Sequence, residues 1–188
     1  LVLNPIRIAD AEMRALNTPT VLLGSGDDYP EFDSVGSDSI GAVNTALEHL
    51  IALGHRRIGL IAGISQRRRP DARYHCYIEM HQRCGLPLDL GMVVRCPYSQ
   101  AEGAAAMRQL LSLANPPTAV LAGNDLLAIG ALIAAKEAGL TVPDALSIIG
   151  IDDIDASSTP SPPLPTVAKP KTEIGVQAGT LLLERPLI

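Results

Sequence analysis

The sequence predicts an α/β protein built on parallel β-sheets. Short apolar runs that suit buried strands alternate with longer segments in which apolar residues recur at helical spacing. Strands and helices that alternate in this way imply right-handed crossovers and a parallel sheet. The strands are almost continuously apolar, which is typical of a sheet that helices cover on both faces.

The first half of the chain contains three strand patterns and one clear helix. The N-terminus begins on Leu-Val-Leu, as if within a strand, and residues 20–23 form a second strand-like run. The helix predicted over 39–53 is followed by Gly54, which suits a helix C-terminus. Residues 57–62 form a β-branched run that stops at Gly63 and predicts a buried strand. The apolar stripe of the helix consists of Ile40, Val43, Leu47, Leu50 and Ile51.

The same alternation continues in the second half. Strands are predicted over 92–96, 118–122 and 146–151, and helices over 70–84, 101–113, 125–138 and 172–184. Gly139 follows the third of these helices and marks its end. Residues 160–170 contain five prolines and are predicted to be extended or looped. This proline-rich segment is the best candidate for a crossing between two lobes.

Composition excludes several classes of function. The chain has 188 residues and a net charge of −5, so this segment is not expected to carry a basic nucleic-acid-binding surface. One Phe, four Tyr and no Trp are too few for stacking on single-stranded nucleic acid. No apolar run approaches the roughly 18 residues that a membrane helix needs, and no secretory signal is visible. Both ends of the chain look cut.

The cysteines indicate a reducing compartment. Cys76, Cys84 and Cys96 are odd in number and lack CxxC spacing, so they predict free thiols and not a disulfide framework or a zinc site. The four histidines show no joint metal spacing, and His55 is interpreted as a helix-end residue near the C-terminal dipole. We therefore expect a cytoplasmic protein without a metal or a cofactor.

Polar side chains follow each predicted strand of the central region. Parallel strands end at one edge of a sheet, and ligands bind beyond that edge. Carboxylate and amide oxygens accept hydrogen bonds from hydroxyls, arginine donates them, and an aromatic face covers an apolar ring surface, so the set suits a sugar-like or nucleobase-like ligand. The residues are Arg73, Tyr98, Ser99, Asn124, Asp125, Asp152 and Asp153.

Simpler structural roles compete with this interpretation. Asp125 heads a helix and is first of all a candidate N-cap. Asn124 suits a tight turn, where its side chain satisfies backbone groups. Asp152 and Asp153 suit a solvated loop. The convergence of several strand ends on one edge favours ligand contacts over these separate roles.

Four motifs resemble the LacI family of transcription regulators in order and spacing. Residues 38–63 include Ala-Leu-Glu-His-Leu-Ile-Ala-Leu-Gly-His-Arg-Arg-Ile, which is similar to the family's HL..LGHRRI stretch. Residues 122–131 resemble its NDxxAxG helix start. Residues 142–154 resemble VPxDVSVVGFDDI, and residues 161–170 resemble PPLTTVRQP.

The resemblance implies a pair of flavodoxin-like lobes of the periplasmic-binding-protein-like type I, with an effector in the cleft between them. Residues 38–167 would form the C-terminal lobe, and residues 1–37 with 168–188 an incomplete N-terminal lobe. Hinge motion would centre on residues 37–38 and 167–169. It also implies a homodimer and an amino-terminal helix-turn-helix headpiece for operator DNA, which this chain lacks.

The resemblance implies a set of ligand-binding residues. These are Arg73, Tyr98, Asn124, Asp152 and Lys169. Lys169 replaces the usual Gln, so it could favour an anionic ligand or pair with Asp152. Gly24 replaces a common Asp, and Cys76 replaces a Gly beside Tyr77. The run Arg67–Arg69 is either a solvated loop or an anion-capturing one.

Two other functions compete. A periplasmic sugar-binding protein of a transport system would share the fold, and only the residues encoded before Leu1 would separate it from a regulator. The run Asp153-Ile-Asp155-Ala-Ser157 resembles the DxDxS start of a magnesium-dependent phosphatase, a three-residue match. Serine hydrolase, zinc-protease and P-loop motifs are absent from the sequence. We expect a protein that is not an enzyme.

Overall fold

The computed structural model describes residues 1–4, 8–24, 29–64 and 72–184. These residues form an α/β structure in which every strand pairing is parallel, which confirms the predicted fold class. The elements in chain order are β1 (Val2–Leu3), α1 (Asp10–Arg14), β2 (Val21–Leu23), β3 (Asp33–Val35), α2 (Ser39–Ala52), β4 (Ile58–Gly63), α3 (Ala72–Arg83), β5 (Val93–Cys96), α4 (Gln100–Leu111), β6 (Ala119–Ala122), α5 (Asp125–Glu137), β7 (Ser147–Asp152), β8 (Thr166–Ala168) and α6 (Lys171–Glu184).

The chain divides into two compact units. Unit 1 consists of Leu1–Asp38 and Pro170–Ile188, and unit 2 of Ser39–Lys169. Unit 2 contains a five-stranded sheet in the order β5-β4-β6-β7-β8. The chain leaves β4 first towards β5 on one side and later towards β6 on the other. The order therefore reverses at β4, which makes the carboxyl ends of β4 and its neighbours a topological switch point.

Helices cover both faces of the unit 2 sheet. On one face, α2 and α3 pack on the strands through residues such as Leu47 and Tyr77. On the other face, α4 and α5 pack through Met107 and Leu127. Successive residues of each strand point to opposite faces, so all six residues of β4 are buried. This double covering explains why the strands are continuously apolar.

Helices α4 and α5 approach each other through glycines. A Cβ at Gly103 would collide with the backbone of Leu127, and a Cβ at Gly130 would collide with the backbone of Gln100. Both helices are rich in alanine around these positions, so the two backbones lie very close together.

His55 ties the amino-terminal ends of two strands together. Its Nδ1 lies 3.0 Å from Thr118 Oγ1 and its Nε2 lies 2.9 Å from Ser147 Oγ. Burial lowers its pKa from 6.5, which favours the neutral ring. The interpretation of His55 as a helix-end residue was therefore incomplete, because the ring bonds to the start of the sheet. Gly54, with a φ of +91°, ends α2 as predicted.

Unit 1 has a smaller three-stranded sheet in the order β1-β2-β3. Helix α6 covers one face, where Ala178 contacts Val21 and Val35. Met13 of α1 packs with Leu22 and Tyr29 in a second cluster. The sequence did not predict α1 or β3, because both are short and rich in polar residues. Strand β8, in the proline-rich segment, was predicted only as extended or looped chain.

Candidate functional site

Four strands of unit 2 end at one edge of the sheet, which we call the carboxyl edge. It is formed by the ends of β4, β5, β6 and β7 and by the residues that follow them. The register pairs Gly63 at the end of β4 with Cys96 at the end of β5, and Ile61 with Ala122 at the end of β6. The side chains that follow these strand ends are therefore brought to the same edge.

Arg73 and Tyr98 join two strand ends directly. The Nη1 group of Arg73 donates hydrogen bonds to Tyr98 Oη at 2.7 Å and to the carbonyl oxygen of Gly123 at 3.1 Å. The Tyr98 ring lies against Gly63, where any Cβ would collide with it. The guanidinium and the ring are thus held at the switch point, although Tyr98 is still 37 % exposed.

Asn124 begins α5 as its N-cap. Its Oδ1 accepts a hydrogen bond from the backbone N–H of Leu127 at 3.0 Å. The N-cap expected at Asp125 is therefore wrong by one residue. The bond uses the amide oxygen, so Nδ2 is the part of the Asn124 side chain that is suited to a ligand.

Asp125 is fully buried and turns away from the start of its own helix. Its Oδ2 accepts from the backbone N–H of Ile154 at 2.9 Å, and its Oδ1 accepts from Thr166 Oγ1 at 2.6 Å. Burial raises the pKa of the Asp125 carboxyl, and the hydrogen bonds from Thr166 and Ile154 oppose that rise. Asp125 therefore links α5 to the end of β7 and the start of β8.

Asp152 ends β7 in an unusual backbone conformation. Its φ is +126° and that of Asp153 is +55°, a region that side chains other than glycine rarely adopt. Asp152 Oδ1 forms an ion pair with Lys169 Nζ, in which the side chains of Lys169 and Asp152 are 24 % and 26 % exposed. Of the two possibilities for Lys169, the structure shows the ion pair.

The predicted site residues thus fall into two contact groups on neighbouring strands. Arg73 and Tyr98 bond to each other and to the residue before Asn124. Asp152 and Lys169 form the second group, at the ends of β7 and β8. Sequence reasoning missed Thr166, which bonds to Asp125. Its signal would have been the threonine at the start of a strand opposite a glycine, Gly150.

The positions that depart from the family pattern have structural surroundings of their own. Gly24 has a φ of +116°, and its N–H donates to the carbonyl of Val35. The buried thiol of Cys76 lies 3.2 Å from Asn44 Oδ1. The run Arg67–Arg69 lies outside the described residues.

Other kinds of site were also searched for. Within residues 1–4, 8–24, 29–64 and 72–184, no three His, Cys, Asp or Glu side chains are grouped as a metal site would require. In the same part of the chain, no helix has the length and apolar character to cross a membrane. Of the residues in the phosphatase-like run, Asp155 and Ser157 lie in a 3₁₀ turn, where Ser157 Oγ donates to the carbonyl of Ile154.

An apolar cavity of about 240 Å³ lies at the opposite end of β7. It is bordered by the last turn of α2, the first residues of β7 and the proline-rich segment. Leu53, Ser147 and Leu164 are among the residues that line it. We favour the carboxyl edge as the site because polar ligands need convergent donors and acceptors, which the cavity has in small number.

Known proteins match most of the chain. The sequence profile of the family described as periplasmic binding protein-like domain matches residues 47–186. The HTH-type transcriptional repressor CytR of Escherichia coli K12 is 42% identical over 155 residues, which cover 82% of this chain and 46% of that protein. The HTH-type transcriptional repressor PurR of Pasteurella multocida Pm70 is 36% identical, covering 89% and 50%. The chain thus spans about half the length of the curated relatives it matches.

Solved structures share the fold. A regulatory protein of the LacI family from Chloroflexus aggregans superposes with a TM-score of 0.85 at 35% identity, covering 97% of this chain and 66% of that one. The transcriptional regulator CelR in complex with cellobiose superposes with a TM-score of 0.86 at 31% identity, covering 98% and 58%.

The fold and the carboxyl edge define the class first. A doubly covered parallel sheet with polar side chains at its switch point is an α/β ligand-binding domain. The family follows from the comparisons. The chain belongs to the periplasmic-binding-protein-like domain family, as a LacI-type effector-binding domain.

Proposed function

We propose that the chain is the effector-sensing and dimerisation core of a LacI-type transcription regulator. It binds a small polar metabolite, a sugar or sugar derivative, at the carboxyl edge of unit 2. The observation that supports this most directly is the assembly of Arg73, Tyr98 and the Gly123 carbonyl at the switch point. An aromatic face beside fixed hydrogen-bonding groups suits a sugar ring, which has apolar faces and a polar rim.

The regulator would act by shifting a conformational equilibrium. A ligand changes such an equilibrium only through its different affinities for the two states. In the complete protein, hinge motion at residues 37–38 and 167–169 would reposition the DNA-binding headpieces of a homodimer on operator half-sites. The protein works in the cytoplasm and catalyses no reaction in this proposal.

A periplasmic solute-binding protein is the second candidate, because the family profile covers that fold as well. The names of the relatives, both HTH-type transcriptional repressors, favour the regulator. The residues encoded before Leu1 decide between the two. A helix-turn-helix there supports the regulator, and a secretory signal supports transport.

Calorimetry tests the site. The chain is titrated with D-ribose, D-glucose, cellobiose, glucose 6-phosphate, cytidine and adenine. We expect one of these classes to bind, and Arg73→Ala and Asp152→Ala each to weaken that binding by about tenfold or more, as for a lost hydrogen bond to a charged group. Exposed residues of the same types provide the controls, Arg108→Ala and Asp144→Ala, which should leave affinity unchanged. Parent-like affinity in both site variants would show that the site is elsewhere.

A further inference from the structure

The buried carboxylate of Asp125 connects three segments of unit 2 at the carboxyl edge. It belongs to the first turn of α5, it accepts from the backbone of Ile154 after β7, and it accepts from Thr166 at the start of β8. Burying an ionisable group is costly unless its hydrogen bonds are made. Since Asn124 already caps the helix, helix capping does not account for Asp125.

Thr166 extends the connection to the turn after β7. Its Oγ1 donates to Asp125 Oδ1 and accepts from the backbone N–H of Asp153 at 3.3 Å. The N–H groups of two successive residues, Asp153 and Ile154, are thus held directly or through one hydroxyl by the same carboxylate. Gly150 completes the arrangement, because any Cβ there would collide with Asp125 Oδ1.

The turn that is held in this way is strained. Asp152 and Asp153 have φ values of +126° and +55°. Positive φ costs of order 1–3 kcal/mol for each residue without glycine's freedom, and it persists only where surrounding contacts impose it. The turn directs the Asp152 carboxylate towards Lys169, with which it forms an ion pair. The hydrogen bonds of Asp125 and Thr166 are therefore suited to fix the direction of that carboxylate.

We propose that Asp125 and Thr166 form a positioning brace for the ligand-binding edge. The brace imposes the strained turn, and the turn holds the Asp152 carboxylate beside Lys169 and ready for a ligand hydroxyl. Asp125 and Thr166 are positioning residues that do not touch the ligand. This inference rests on the proposed function for its ligand, whereas the link from the brace to the Asp152–Lys169 pair is independent of it.

The link is tested without a ligand, by acetylation of lysine side chains with N-hydroxysuccinimidyl acetate. Lys169 is protected by its ion pair, and the exposed Lys136, which donates to the carbonyl of Ser161, serves as the internal reference. Site-resolved mass spectrometry gives the ratio of the two rates. Thr166→Val removes the hydroxyl and keeps the shape, and Thr166→Ser restores the hydroxyl. Asp152→Asn removes the ion pair directly and gives the fully deprotected ratio.

We expect Thr166→Val to raise the Lys169 to Lys136 ratio several-fold towards that of Asp152→Asn, and Thr166→Ser to keep the parent ratio. Thermal unfolding of each variant is measured first, and Thr166→Ala replaces Thr166→Val if the latter does not fold. A loss of stability in a purely structural residue would leave the ratio unchanged below the unfolding temperature. A parent-like ratio in the folded Thr166→Val or Thr166→Ala chain would overturn the brace.

The ligand arm uses whichever compound of the calorimetric panel binds the parent. Thr166→Val should weaken its binding by about tenfold, the equivalent of one hydrogen bond to a charged group, and Thr166→Ser should not. If Lys169 is deprotected as expected while Asp152→Ala binds the ligand normally, the brace stands and the proposed ligand site fails. If Asp152→Ala loses the ligand while Thr166→Val changes neither readout, the site stands and the brace fails.

Discussion

At the scale of single residues, the interior of unit 2 contains polar side chains whose partners are remote in sequence. Asn124 and Asp125 are both good N-cap residues, so local propensity does not decide which of them caps α5. The choice depends on Ile154 and Thr166, which lie 29 and 41 residues beyond Asp125 and accommodate its carboxylate. A sequence can nominate such residues, but their roles depend on tertiary contacts.

His81 is a second buried polar residue, and it makes a prediction about pH. Its Nδ1 donates to the carbonyl of Tyr77 at 2.9 Å, and burial lowers its pKa from 6.5 while that bond opposes the shift. The unfolded chain therefore binds a proton at His81 more readily than the folded chain does. The free energy of unfolding should fall as pH drops below 6.5 and level off below the folded-state pKa.

Urea unfolding between pH 7.5 and 5.5 measures this effect. The difference in stability between the parent and His81→Gln should shrink or change sign towards acid pH, because the variant has no imidazole to protonate in the unfolded state. The exposed His75, as His75→Gln, is the matched control and should track the parent. A constant difference between the parent and His81→Gln would contradict the prediction.

At the scale of elements, contiguous apolar patterns were predicted well and short polar ones were not. The strands β4, β5, β6 and β7 lie within a residue or two of their predicted bounds, because both faces of each are buried. Strand β3 contains Asp33 and Ser34, and its pairing with β2 gives it an extended conformation that its composition does not indicate. Strand β8 was obscured by the prolines around it.

The crossing of α4 and α5 predicts a sharp difference between glycines. Gly130→Ala should lower the free energy of unfolding by about 1–3 kcal/mol, because its Cβ would meet the backbone of Gln100 and force the helices apart. Gly179→Ala in α6 is the control, since its Cβ would meet nothing within 4 Å. There alanine should stabilise by roughly 0.5–1 kcal/mol. Denaturant unfolding compares them, and equal effects would contradict the close crossing.

At the scale of the whole molecule, the parallel sheet and the edge that carries the polar residues were both predictable. Strand ends are read from the apolar pattern, and parallel pairing brings them to one edge. The ion pair between Asp152 and Lys169 was one of two alternatives, because it depends on the turn geometry after β7. The resemblance to the LacI family was confirmed by the family profile and by the solved relatives.

The position of ligand binding on this molecule is the central claim. A two-dimensional ¹H–¹⁵N spectrum of the chain, recorded with and without the compound that binds in calorimetry, tests it most directly. We predict that the largest amide shifts occur at Arg73, Tyr98, Asn124 and Asp152, along the carboxyl edge. Shifts concentrated at Leu53, Ser147 and Leu164, around the apolar cavity at the other end of β7, would contradict it.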